Sequence, residues 1–335
     1  MSSWAYRANR VFDRFFLHRQ IRDAEIAIGN VLRFGVLTSL AVLLIGIVYF
    51  YGLRLTGVLH HPVFPDTLPS VVNGLLHGDS VSIIMLGLII LLATPVLRVA
   101  VSIGAFALEE DRTYVMITSV VLIILLFSIF GVGGLLGQSH PTPVQDDNLF
   151  FFFAVLASSL FAGFIGALVG LGGGVFIVPI LTLIFHVNFT AAIGASIVSV
   201  IATSSGAAAA YVKDRMTNLR VGMFLEVATT LGAICGALLS TVLNASILFI
   251  VFGVVLLISA APLIMRLGEE LPVGVVNHKW AEPLHLPSSY PDMRTQQDVA
   301  YNVAHVRWGF SMMYIAGLVS GLLGIGSGTF KVLAL

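Results

Sequence analysis

Ala162–Leu181 reads AGFIGALVGLGGGVFIVPIL, and Ala316–Leu335 reads AGLVSGLLGIGSGTFKVLAL. At an offset of 154, nine of these 20 positions are identical, among them Gly163/Gly317, Gly170/Gly324, Gly172/Gly326, Gly174/Gly328 and Phe176/Phe330. Apolar runs resemble one another by chance, but four aligned glycine pairs at one spacing do not. Each copy is an apolar run that ends in alternate glycines and resumes beyond them. Such a run is long and continuous, without the polar alternation of a membrane strand, so it reads as a helix broken by a glycine turn.

The rest of the chain has the same solvent. Of 335 residues, 58% are apolar types and 10% are charged, and mean hydropathy is +1.00. A soluble domain carries about 25% charge. The class is therefore an all-α, polytopic transmembrane helix bundle with inverted repeats and glycine-broken helices. Net charge is zero without a basic tract, which argues against nucleic acid as a partner. Cys235 stands alone, so an internal disulfide is excluded. Residues 1–30 carry five arginines and no cleavage pattern follows, so the first apolar run stays as a span.

A span needs roughly 20 apolar residues. The runs are Val31–Tyr51, Val81–Ala107, Tyr114–Gly137, Leu149–Val169, the short Val175–Phe185, Ala191–Tyr211, Val221–Leu243, Ala245–Met265 and Phe310–Leu323. With the N-terminus in the cytoplasm, segments 1–30, 108–113, 212–220 and 266–309 hold 5, 1, 3 and 4 basic residues, 13 of the 17 in the chain. The outside segments hold Arg54 alone. This asymmetry sets the orientation, and it requires Val175–Phe185 to count as a crossing. The two glycine copies then enter the membrane from opposite faces. That is the inverted repeat of secondary transporters, whose substrate sites lie where broken helices of the two halves meet.

The organisation read from these runs is a three-helix membrane domain over 1–137, a linker at 138–148 and a transporter-like domain over 149–335. The linker carries Pro141, Pro143 and two aspartates. The second copy stops at Leu335, just past its glycine loop, whereas the first continues to Met265. The expectation is an incomplete second repeat: a fragment, a truncated product, or a half that pairs with a second half or a second copy.

Gly170-Leu171-Gly172-Gly173-Gly174 lets backbone approach a ligand closely. Amides at the following helix start offer partial positive charge to an anion. Gly324-Ile325-Gly326-Ser327-Gly328 offers the same from the opposite side. The bland reading is helix packing, for which Gly166/Gly170 and Gly232/Gly236 have GxxxG spacing. Gly163–Leu181, Ala191-Ala192-Ile193-Gly194-Ala195-Ser196, Thr203-Ser204-Ser205-Gly206 and Tyr211 resemble the first half of the TauE/SafE sulfite-exporter family. Gly317–Val332 resembles the start of its second half. The resemblance covers about 150–335 and implies export of small anions, such as sulfite or organosulfonates, across a bacterial or archaeal plasma membrane. The chain departs from that pattern at Leu333, where proline is usual, and in the missing remainder of the second half. Leu32-Arg33-Phe34-Gly35, Ala93-Thr94-Pro95-Val96-Leu97-Arg98 and Glu109-Glu110-Asp111-Arg112-Thr113-Tyr114 resemble a separate small membrane family of unknown function. That family is often encoded beside such exporters, which implies an accessory or regulatory role.

The candidate substrate-binding set is Gly170, Gly172, Gly173, Gly174, Pro179, Ser196, Thr203, Ser204, Gly324, Gly326, Ser327, Gly328 and Lys331. Ser196 and Thr203 share a helix face. Their hydroxyls either face an oxyanion or cap local carbonyls. Lys331 is a basic residue at membrane depth, or a snorkelling one near the chain end. Glu226 either carries a proton or reaches the interface beside Arg220, and Arg98 reads as snorkelling, paired with Glu109 or Asp111. Cys235 reads as a small packing residue. No HExxH or GxSxG occurs, and His278, His285 and His305 lack metal-ligand spacing. The expectation is therefore a transporter of small inorganic or organosulfur anions, with no cofactor and no enzymatic chemistry. The alternative is a non-transporting membrane scaffold or regulatory subunit of a transporter.

Overall fold

The computed structural model describes residues 2–56, 64–65, 67–132, 149–169, 173–213, 217–265, 276–292 and 297–328, and the side chains of most of them. The linker 138–148, Gly170, Gly172 and Lys331 lie outside the described residues. Among the described residues, ten α-helices make up nearly all of the structure: α1 (Ser2–Leu55), α2 (Leu68–Leu76), α3 (Ser80–Leu108), α4 (Arg112–Phe127), α5 (Leu149–Val169), α6 (Gly174–Pro179), α7 (Phe189–Lys213), α8 (Leu219–Val242), α9 (Ala245–Met265) and α10 (Val306–Leu323). Two short strands, β1 (Ser288–Asp292) and β2 (Gln297–Tyr301), form an antiparallel hairpin between α9 and α10. Six helices are long and apolar enough to cross a membrane, and three shorter apolar ones cover Phe150–Gly166, Gly174–Ile184 and Ala245–Ile258. All nine runs read from the sequence are thus helical within the described residues. Large apolar side chains such as Val48, Phe164 and Leu257 stand exposed along them, as a lipid-facing surface requires.

Two compact units divide the chain. The first comprises Met1–Ser102 and Ser204–Lys213. In it α1 and α3 run antiparallel, since Gly35 faces Thr94 while Gly46 faces Ile84. A Cβ at Gly87 would come within 2.7 Å of Leu43. The Ser39 hydroxyl donates to the Gly87 carbonyl at 2.8 Å. Small residues let the two backbones approach, and a hydroxyl ties them where no water competes.

The second unit comprises Ile103–Thr203 and Asp214–Leu335. Its tightest pairing is α8 on α10. A Cβ on Gly232 would strike the Tyr314 carbonyl, and one on Gly236 the Leu318 carbonyl. A Cβ on Gly317 would strike the Thr229 carbonyl, and one on Gly321 the Ala233 carbonyl. Partners advance together along both helices, so α8 and α10 are parallel. Two GxxxG faces therefore interlock backbone to backbone, with carbonyls over the opposing glycines.

The segment before α10 departs from a plain connection. Residues 276–292 and 297–305 fold onto the ends of α3, α4 and α8. Phe106, Tyr114, Met223, Ala281, Leu286 and Val306 form one small buried core there. The Tyr114 hydroxyl donates to the Leu284 carbonyl at 2.7 Å. The Asn218 amide nitrogen donates to the Leu286 carbonyl at 2.7 Å and to the Tyr301 hydroxyl at 2.9 Å. Its pieces are too short, and too interrupted by Pro283, Pro287 and Pro291, to show a period in the sequence. Glu109 and Asp111 pair with Arg220, at 3.0 and 3.4 Å; the expected pairing with Arg98 is thereby corrected. Arg220 also lies 5.8 Å from the Tyr114 ring centroid.

Two predictions follow from these contacts. A side chain at Gly317 has no room beside the Thr229 carbonyl, and such overpacking costs about 1–3 kcal/mol or more. Gly317→Val should lower the thermal midpoint of the protein in detergent by several degrees, whereas Gly253→Ala, whose Cβ would meet nothing within 4 Å, should not. Burial raises the Glu109 carboxyl above its ordinary value, against the pull of Arg220 and with a further push from Asp111. Above about pH 4.3, where an unfolded-chain glutamate ionises, the native chain holds a proton that the unfolded chain has released. This contribution to stability is full below that pH and falls away as pH rises through the higher folded value. Thermal midpoints from pH 4 to 7 should therefore decline relative to those of Glu109→Gln; parallel curves would contradict this.

Candidate functional site

Helix α5 ends at Val169, and the second helix of that copy restarts with Gly173 as its N-cap, at φ −67° and ψ −20°. The amides of Phe176 and Ile177 both bond the Gly173 carbonyl, at 3.1 and 3.0 Å. As first-turn groups, the Gly174 and Val175 amides have no partner within their own helix. Gly173, Gly174 and Val175 are buried. The helix runs only to Pro179 and continues as a wider π-turn over Ile180–Ile184. Proline removes a ladder hydrogen bond and crowds the carbonyl four residues back, which accounts for a change of pitch at this point.

In the second copy the chain leaves α10 by a left-handed turn. Gly324 caps the helix at φ 68° and ψ 16°, its amide bonded to the Ser320 carbonyl at 2.8 Å. Gly326 follows at φ 76°. Side-chain-bearing residues adopt this region at a cost, so glycine is required twice. Gly324, Ile325 and Gly326 are buried, while Ser327 and Gly328 are half-buried.

The two turns meet on one face of α7. A Cβ on Gly174 would come within 2.6 Å of the Ser196 hydroxyl, 2.8 Å of Val200 and 3.0 Å of the Gly324 carbonyl oxygen. A Cβ on Gly324 would come within 2.8 Å of Ile193, and one on Gly326 within 2.9 Å of Val200. The fully buried Ser196 donates its hydroxyl to the Gly324 carbonyl at 2.7 Å, across 128 residues of sequence. Thr94, Ser102, Thr182 and Thr230 return theirs to carbonyls four residues back in their own helices. Ser196 is thus a strut between α7 and the second glycine turn. Around the junction lies a dry core that includes Ala162, Val178, Ala192, Leu323 and Ile325.

Of the candidate residues, the structure brings together Gly173, Gly174, Ser196, Gly324 and Gly326. Thr203 lies two turns further along α7 and bonds the Ser199 carbonyl at 2.9 Å. Ser204 is exposed and belongs to the first compact unit. Pro179 is half-buried in the short helix. Sequence reasoning missed Ile193 and Val200, whose side chains fill the space above the glycines. Their spacing from Ser196, three residues before and four after, places them on its face and was the available signal. Among the described residues no group of three or more His, Cys, Asp or Glu could hold a metal ion.

The family described as sulfite exporter TauE/SafE matches residues 155–335. A family described as a protein of unknown function, DUF1634, matches residues 28–130. A probable membrane transporter protein of Bacillus subtilis strain 168, YunE, is 28% identical over 195 residues, 55% of this chain and 67% of that protein. A second from the same organism, YdhB, is 27% identical over 168 residues, 50% of this chain and 58% of that protein. The chain therefore spans only part of the length of each of these relatives. No solved structure matches it. A pair of glycine turns, buried on the Ile193, Ser196 and Val200 face of α7 within a multi-pass membrane bundle, thus lies in the matched region, and the chain, similar to DUF1634 over residues 28–130, belongs to the TauE/SafE sulfite exporter family.

Proposed function

We propose that the protein carries small oxyanions, such as sulfite or organosulfonates, across the plasma membrane of a bacterial or archaeal cell by alternating access, with its N-terminus in the cytoplasm. The observation that carries this reading is the meeting of Gly174 with the Gly324 carbonyl beside Ser196. An anion leaving water for a dry interior loses hydration worth many kcal/mol. Pre-aimed amides replace part of that hydration without reorganising. The donors are the backbone amides of the two glycine turns, Gly173–Gly174 and Gly326–Gly328, with Ser327, and the candidate set adds Gly170, Gly172 and Lys331. Ser196 acts by holding the Gly324 carbonyl, so that this carbonyl does not face the anion. Thr203 lines the path further along α7. Pro179 fixes the short helix so that its N-terminus stays aimed while one repeat rocks against the other. No covalent chemistry is required of the chain, and the reading assigns it none.

Sulfite flux into proteoliposomes containing the full chain tests this. Unmodified protein should give saturable flux. Gly174→Val should lower it by roughly tenfold or more, since overpacking at the junction costs at least as much as a tenfold change requires. Gly194→Ala, where a Cβ meets nothing within 4 Å, should leave flux intact. Ser196→Ala should lower flux less than Gly174→Val while preserving the fold. Equal flux in Gly174→Val and unmodified protein would remove the glycine turns from the mechanism.

A further inference from the structure

The small core at the ends of α3, α4 and α8 joins segments from two different family modules. Phe106, Glu109, Asp111 and Tyr114 lie inside the residues matched by the module of unknown function, 28–130. Arg220, Met223, Ala281, Leu284, Leu286 and Val306 lie inside those matched by the exporter family, 155–335. All of them belong to the second compact unit.

What the N-terminal module grips is specific. Residues 276–305 lie between α9 and α10, and α10 carries the second glycine turn at its far end. This connector closes on itself, since the His278 amide bonds the Val303 carbonyl at 2.9 Å and the Val303 amide bonds the Asn277 side-chain oxygen at 3.0 Å. It is then fastened from outside by two hydrogen-bonding side chains, Tyr114 and Asn218. Tyr114, fully buried, plugs the core and donates its hydroxyl to the Leu284 carbonyl at 2.7 Å. Asn218 holds Leu286 and Tyr301 from the N-cap of α8. Arg220, the second residue of α8, is in turn held by Glu109 and Asp111. Val306, the first residue of α10, is buried in the same core.

We infer that the turn 109–114 of the N-terminal module is a clamp on the connector between the two repeats, through which that module sets how freely the base of α10 moves. The partner surface is the exporter-family connector itself. It is recognised by a buried tyrosine hydroxyl on a main-chain carbonyl, while an acidic pair holds Arg220 at the start of α8, whose N-cap Asn218 bonds the same connector. The consequence for transport rests on the alternating-access reading above, but the clamp itself does not.

Hydrogen exchange of the full chain in lipid nanodiscs, read by mass spectrometry over 276–305, tests the clamp directly. Tyr114→Phe removes one hydroxyl and keeps the ring in the core. Losing one buried hydrogen bond should speed exchange of the connector amides by about three- to tenfold, because local opening governs their exchange. The Glu109→Gln, Asp111→Asn double variant should speed the same amides, while the interlocked α8 and α10 glycine segments keep their protection and report that the fold persists. Connector exchange unchanged in both variants would overturn the clamp. Sulfite flux measured on the same samples separates the two readings: no flux from unmodified protein counts against transport alone, whereas connector exchange decides the clamp either way.

Discussion

Helix backbones in this protein approach one another closely at glycines, which lack a Cβ, and the rest of the structure depends on that permission. Lipid offers helices no hydrophobic reason to associate, so close approach of main chains must supply the contact. Gly35, Gly46 and Gly87 do so for α1 and α3. Gly232, Gly236, Gly317 and Gly321 do so for α8 and α10. Gly174, Gly324 and Gly326 do so at the junction on α7. The first two sets are continuous helical faces and serve packing. The third lies at helix breaks, where amides and a carbonyl lose their ladder partners. One residue type thus has two consequences, decided by whether the helix continues past it.

The two consequences are mechanically joined. Gly317 and Gly321 lie on the same helix that Gly324 terminates, so the interlock with α8 fixes where the second glycine turn is presented. Ser196 then fixes the turn itself. Its hydroxyl is the cross-element tie at the junction, and a carbonyl left unpaired in a dry interior would carry the penalty it removes. At the opposite end of α10, the folded connector buries Val306 in its small core and so holds the base of the same helix. The second repeat is therefore held at its base, along its α8 face and at its glycine turn, each time by a different kind of interaction.

Much of this was legible in the sequence, and the limits of legibility have physical causes. Hydrophobic length located the spans, since lipid imposes it directly. The glycine repeat at an offset of 154 marked both breaks, and in the second copy Gly324 and Gly326 take φ 68° and φ 76°, which side-chain-bearing residues adopt at a cost. GxxxG spacing marked Gly232 and Gly236, although their partners Gly317 and Gly321 had to wait for the structure. Which way Ser196 points was not legible. A helix apolar on nearly all sides has no strong periodic stripe from which to read its rotation. Arg220 took the carboxylates expected for Arg98 because pairing depends on tertiary placement across about a hundred residues, which no local pattern encodes. The hairpin in 276–305 was hidden by its shortness and its prolines.

The claim that both repeats converge on α7 is tested most directly by cross-linking. With Cys235→Ala as background, Ile193→Cys and Ile325→Cys would set one thiol on α7 and one on the second glycine turn. Phe189→Cys with Phe249→Cys is the positive control, since those rings stack at 4.1 Å between centroids. A short bifunctional thiol reagent applied to the protein in membranes should join both pairs. A joined control pair with an unjoined 193–325 pair would contradict convergence of the two glycine turns.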